Sequence, residues 1–187
     1  GYRTAIDIPF FGWTWELGFF YYIFAFLFIM AFVNGVNFTD GLDGLASGVT
    51  VIVAAFFAVV AWGRESNLAI VTSAVAGSLL GFLLFNVNPA KVFMGDTGSL
   101  ALGGFVSALA LMLDIPLILV IVGFIYAAEV LSVVLQVGYF KATHGKRLFK
   151  MAPIHHHFEL SGWKETKVVS VFVIITAILC LVGYLAL

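Results

Sequence analysis

Charge is scarce in this sequence. Of 187 residues, 10% are Asp, Glu, Lys or Arg and 63% are hydrophobic, where soluble domains carry about 25% charged and about 45–50% apolar residues. An ordinary water-soluble globule is excluded. With 16% aromatic residues, so is a disordered chain. A formal net charge of −1 leaves no basic surface for a nucleic acid, and no such partner is expected. The single cysteine, Cys180, lies deep in an apolar run, so no disulfide framework exists. The first residue is Gly1 rather than Met, and no signal-peptide pattern precedes the first long apolar run. The chain is therefore expected to begin in the middle of something longer.

What the sequence does have is long apolar runs. A helix needs about 20 apolar residues to cross ~30 Å of hydrocarbon. Six runs approach that length: residues 17–33, 45–62, 68–85, 100–113 (with 93–99 as an extension), 115–140 interrupted by Glu129, and 168–187. They are continuous rather than alternating, which disfavours barrel strands. Helices then satisfy the backbone in lipid. The expected fold is an all-α integral membrane protein, a polytopic bundle of six transmembrane helices over residues 17–187. Gly77, Gly81, Gly103 and Gly104, with Ser73, Ala76 and Ser78, are expected to let helix backbones approach. Residues 1–16 read as an outer-face interfacial segment, with Phe10, Phe11, Trp13 and Trp15 as its aromatic anchor and a turn or short hairpin at Pro9 and Gly12.

Lys and Arg orient the bundle. The first, third and fifth loops carry Lys91, Lys141, Lys146, Arg147, Lys150, Lys164 and Lys167, against Arg3 and Arg64 on the other face. Those three loops are expected in the cytoplasm and both chain ends outside.

The same three loops, residues 34–44, 86–99 and 141–167, hold most of the polar chemistry. Asp40 and Asp43 share a face if their segment is helical, whereas Gly41 and Gly44 permit a tight turn. An EF-hand is excluded by ligand spacing. Asp96, between Gly95 and Gly98, suits either a Mg²⁺ ion completed by phosphates and water or an N-cap opening the fourth span. His155, His156 and His157 lack the partners of a zinc site, and imidazoles there can bind phosphate or move a proton. Lys141, Lys146, Arg147 and Lys150 are either the inner-face signal or a binding patch for an anionic headgroup or nucleotide. No phosphate-binding P-loop surrounds Gly145-Lys146. Glu129 must face the bundle interior or a water cavity, as a catalytic group or a helix–helix hydrogen-bond partner.

Three motifs together resemble a known family: N-G-V-N-F-T-D-G-L-D-G at residues 34–44, N-P-A-K-V-F-M-G-D-T-G-S at 88–99, and M-A-P-I-H-H-H-F-E-L at 151–160. They resemble the polyprenyl-phosphate N-acetylhexosamine-1-phosphate transferases. The Pro-Ile-His-His-His form is the more specific to their phospho-N-acetylmuramoyl-pentapeptide branch. That resemblance implies transfer of phospho-MurNAc-pentapeptide from UDP-MurNAc-pentapeptide to undecaprenyl phosphate, giving lipid I and UMP for peptidoglycan synthesis. It implies Mg²⁺ as cofactor and a site on the cytoplasmic face of the bacterial inner membrane, and it allows a homodimer.

By motif position, Asp96 resembles the Mg²⁺ ligand. Asn37, Asp40 and Asp43 resemble residues lining the nucleotide pocket, Asp40 being counted also as catalytic. Phe93 resembles the aromatic that stacks on uracil, Asn86 a cleft amide and Lys146 a substrate-binding cation. His155–His157 resemble an essential motif contacting the diphosphate. The family has about ten spans and an adjacent Asp-Asp motif in its N-terminal half, and no Asp-Asp pair occurs here. The chain thus reads as a C-terminal fragment, expected to be inactive alone. Two competing functions remain, a sister transferase using UDP-GlcNAc and a transporter. A transporter would spread polar residues through the membrane depth, whereas here they crowd one face.

Overall fold

The computed structural model describes residues 4–187, so Arg3, counted above for the outer face, lies outside the described residues. The described chain opens with an antiparallel hairpin, β1 (Ala5–Ile8) and β2 (Trp13–Glu16), in which Ala5 faces Glu16 and Ile8 faces Trp13. Pro9 and Gly12 make its turn, and Phe10, Phe11, Trp13 and Trp15 are all exposed. Helices follow: α1 (Phe20–Thr39), α2 (Leu45–Gly63), α3 (Leu68–Asn86), α4 (Gly95–Met112), α5 (Pro116–Val122), α6 (Phe124–Ala142), α7 (Ile154–Glu159) and α8 (Glu165–Leu185). Six of them, all but α5 and α7, are long and apolar enough to cross a membrane.

The spans start and stop where breakers allow. α2 and α3 begin at Leu45 and Leu68, as their apolar runs do. α1 does not end at residue 33 but continues to Thr39, so Asn34 and Asn37 stand on a helix rather than in a loop. No Pro interrupts it, and Gly35 is tolerated because α6 presses there; a Cβ on Gly35 would lie 2.9 Å from the Tyr126 carbonyl oxygen. α4 starts at Gly95, which places Asp96 in its first turn, where a carboxylate meets the positive end of the helix dipole. The fifth run is broken at Gly123, which closes α5 and opens α6. The histidine triplet occupies α7, a six-residue helix that starts directly after Pro153, rather than open loop.

α2 is central, packed between α3 and α8, while α1 packs on α4 and α6. Gly103 permits the α1–α4 approach, since a Cβ there would lie 2.5 Å from Val33 Cα, and Gly104 adjoins the same residue. Gly77 and Gly81 differ from expectation. Nothing among the described residues lies within 4 Å of where their side chains would start, so they pack against no described helix. Buried hydroxyls are satisfied within the bundle: Thr50 Oγ1 donates to Ala46 O and lies 2.8 Å from the Tyr126 hydroxyl. At the hairpin end, Arg64 Nη1 donates to the Leu113 carbonyl and ties α2 to the end of α4.

Candidate active site

The three polar segments meet at the opposite end of the bundle. α1 stops at Thr39, and Asp40-Gly41-Leu42-Asp43 turns the chain into α2 through Gly44, whose φ of +78° suits glycine. Asp43 then fastens the neighbouring segments together. Its Oδ2 accepts from the Ala90 N–H at 2.9 Å and from Asn88 Nδ2 at 3.2 Å. Its own N–H donates to Glu165 Oε1 at 2.7 Å, and Asn88 Nδ2 also donates to Glu165 Oε2 at 3.0 Å. First loop, third loop and the start of α8 are thereby locked in one arrangement.

Asn86 is buried and engaged at both ends: Oδ1 accepts from Ser47 Oγ at 2.6 Å, and Nδ2 donates to Val92 O at 2.9 Å. It shapes the third loop more than it offers a free amide. Asn37, one helical turn before Asp40, donates from Nδ2 to Asp96 Oδ1 at 3.3 Å and to Ser99 Oγ at 2.9 Å. The Asp96 carboxylate is thus steered by a side chain of α1.

Around these residues lies a cavity of about 240 Å³ lined by Asp40, Asp43, Asn86, Phe93 and Asp96, among others. Burial, and secondarily the Asp96 carboxylate, push the Asp40 carboxyl up to about 6. A buried carboxyl facing a second carboxylate is a setting a divalent cation relieves. Among the described residues, no three metal-ligating side chains cluster. That donor set fits Mg²⁺, which usually takes one or two carboxylates and completes its shell with phosphates and water. Phe93 stands at the rim with 73% of its surface exposed, a free aromatic face beside a polar cavity.

The histidines are placed unequally, and none of them lines the cavity. His155 is buried directly behind the first loop: a Cβ on Gly41 would lie 2.3 Å from its Nε2. His156 Nδ1 lies 2.7 Å from Glu159 Oε2, and His157 Nδ1 accepts the Lys150 N–H at 3.1 Å. Lys146 is exposed in the loop after α6, away from the cavity lining. Glu129 is fully buried, with Oε1 3.1 Å from His155 Nδ1, so it meets the short helix α7 rather than another spanning helix.

Sequence reasoning missed Glu165 and Asn88 as partners of Asp43. Glu165 reads as an ordinary first-turn acid, and nothing in its spacing joins it to a residue 122 positions earlier.

Residues 3–114 match the family model described as glycosyl transferase family 4. The chain belongs to glycosyl transferase family 4. The matched part holds Asn37, Asp40, Asp43, Phe93 and Asp96 and stops before Glu129 and α7. Curated relatives extend the likeness over the histidine loop. The phospho-N-acetylmuramoyl-pentapeptide-transferase of Clostridium novyi (strain NT) is 62% identical over 98% of this chain and 57% of its own length. The protein of the same name from Clostridium kluyveri is 58% identical, covering 98% of this chain and 58% of the relative. That from Acetivibrio thermocellus is 58% identical over all of this chain and 57% of its own length. This glycosyl transferase family 4 chain therefore spans somewhat more than half the length of the relatives it matches.

Proposed function

We propose that, in a full-length polypeptide, this site transfers phospho-MurNAc-pentapeptide from its UDP carrier to undecaprenyl phosphate at the cytoplasmic face of the bacterial membrane. An oxygen of the lipid phosphate bonds to the sugar-bearing phosphorus, while the bond from that phosphorus to UMP breaks and UMP leaves with the electron pair. Phosphoryl transfer asks mainly for positioning and for neutralisation of phosphate charge. The observation that carries the proposal is the Asp40–Asp96 pair, with Asn37 behind it and Phe93 at its rim, at one end of six apolar helices. A lipid phosphate reaches such a place from the bilayer and a nucleotide reaches it from water.

Asp96, steered by Asn37, and Asp40 would hold Mg²⁺, which when bound supplies charge neutralisation on the diphosphate. Phe93 offers its ring to uracil, and Asp43 keeps the third loop in place beneath the nucleotide. The relatives' names, in a family with this arrangement, favour the MurNAc-pentapeptide donor over UDP-GlcNAc.

The test is UMP release by the purified full-length protein with undecaprenyl phosphate, Mg²⁺ and either UDP donor. Turnover with the MurNAc-pentapeptide donor, abolished by Asp96→Asn without loss of fold, is expected. Preference for UDP-GlcNAc, or near-normal turnover of Asp96→Asn at saturating Mg²⁺, would overturn the assignment.

A further inference from the structure

Glu129 is an acid in the second turn of α6, and the function proposed above gives it nothing to do. Its side chain is 0% exposed. An ionisable group buried that completely is costly and needs a partner. The group facing it is His155, 1% exposed, whose Nδ1 lies 3.1 Å from Glu129 Oε1. The contact lies off the line of the ring N–H, and among the described residues none of the polar atoms of either side chain has a hydrogen-bond partner. Each is therefore the only group on hand to satisfy the other.

The far edge of the imidazole points the other way. Nε2 and Cε1 press on Gly41, where a Cβ would lie 2.3 and 2.7 Å from them. Gly41 lines the cavity between Asp40 and Asp43. The ring thus spans from the bundle interior to the back of the candidate site.

Its two neighbours are held differently. His157 Nδ1 accepts the Lys150 N–H, so in its neutral form the His157 proton sits on Nε2. His156 has its own acid, Glu159, within one helical turn. As a carboxylate Glu129 can only accept, and the atom that faces it, Nδ1 of His155, is then the one that carries the proton. We infer that Glu129 is a positioning residue that fixes the tautomer and orientation of His155, presenting Nε2 to the Asp40–Asp43 turn. This rests on the transferase reading for its consequence in catalysis, but not for its structural content.

Two measurements test it in the full-length protein. Glu129→Leu leaves Nδ1 of His155 buried without its one acceptor, so the melting temperature is expected to fall, and kcat to fall roughly 10- to 100-fold while KM for the UDP donor stays put. Glu129→Gln, which keeps an acceptor oxygen, should recover part of the loss. In a His155→Ala background, Glu129→Leu should cost nothing further. A role in packing alone would instead make the turnover losses of Glu129→Leu and His155→Ala additive, with no recovery in Glu129→Gln.

Ring ¹⁵N spectra of the wild-type protein, with His155 assigned by its loss in His155→Ala, read the pair without any assay. A protonated Nδ1 on His155 is expected. A neutral Nε2–H tautomer, or full turnover by Glu129→Leu, would overturn the inference. Absence of UMP release by the wild type would sink the transferase reading and leave the ¹⁵N result to decide the pair.

Discussion

Adding one methyl group to Gly41 is the sharpest probe of how the first loop and the histidine helix meet. Gly41 is not among the residues with left-handed φ, so alanine is compatible with its backbone and only space is in question. The new Cβ would stand 2.3 Å from His155 Nε2, 2.7 Å from Cε1 and 3.4 Å from Cδ2. Restoring ordinary contact requires the ring to retreat by about 1 Å, and displacement on that scale at a reacting centre can cost about 100-fold in rate. The ring has little room, being 1% exposed and backed by Glu129. Overpacking of this kind costs about 1–3 kcal/mol of stability.

Gly41→Ala in the full-length protein is therefore expected to lower kcat for UMP release roughly 100-fold and to lower the melting temperature, with KM for the UDP donor nearly constant. Gly104→Ala is the control, since its Cβ would meet only Val33 Cγ2 at 3.9 Å, and it should leave both quantities alone. Wild-type turnover and stability in Gly41→Ala would refute the placement of His155 behind the loop.

Phe93→Ala should raise KM for the UDP donor and leave the lipid substrate's KM alone, because stacking on a base is worth ~1–3 kcal/mol; an effect confined to the lipid would remove Phe93 from the nucleotide. Asp43→Ala frees the Ala90 N–H and removes one of the two carboxylates to which Asn88 donates, and hydrogen bonds to a charged group contribute about 1.5–3 kcal/mol each, so a lower melting temperature is expected. The same loss should be non-additive with Asn88→Ala, and strict additivity would contradict the shared fastening.

Asp40 gives a pH signature. Because its carboxyl is raised to about 6, the fold retains that proton longer than the unfolded chain does, and the associated stability is lost as pH rises from about 4 to about 6. In EDTA, Asp40→Asn should melt at the wild-type temperature near pH 4 and above it at pH 8. A difference that does not vary with pH would count against the buried, crowded carboxylate.

Much of the bundle is legible in composition alone, because hydrocarbon imposes length and continuity on every span. α2 and α3 start where their apolar runs start, at Leu45 and Leu68. The errors are where polarity was taken for a helix end. Asn34 and Asn37 stay helical in α1, since an amide on a helix breaks nothing and Asn34 donates back to Met30 O. The break at Gly123 lies inside a uniformly apolar stretch and leaves no mark in hydropathy. Convergence of Asp40, Phe93 and Asp96 follows from their sharing one face of the membrane. The attachments of Asp43 to Glu165 and of Glu129 to His155 are tertiary facts that no local pattern encodes.

The knot between Asp43 and Glu165 also bears on biogenesis. Its two halves leave the ribosome 122 residues apart, which at about 5–20 residues per second is an interval of roughly 6 to 24 s. Until Glu165 at the start of α8 has been made, the turn between α1 and α2 lacks the carboxylate that clamps its backbone. A nascent chain arrested before Glu165 emerges would hold α1 and α2 with the turn between them still unclamped.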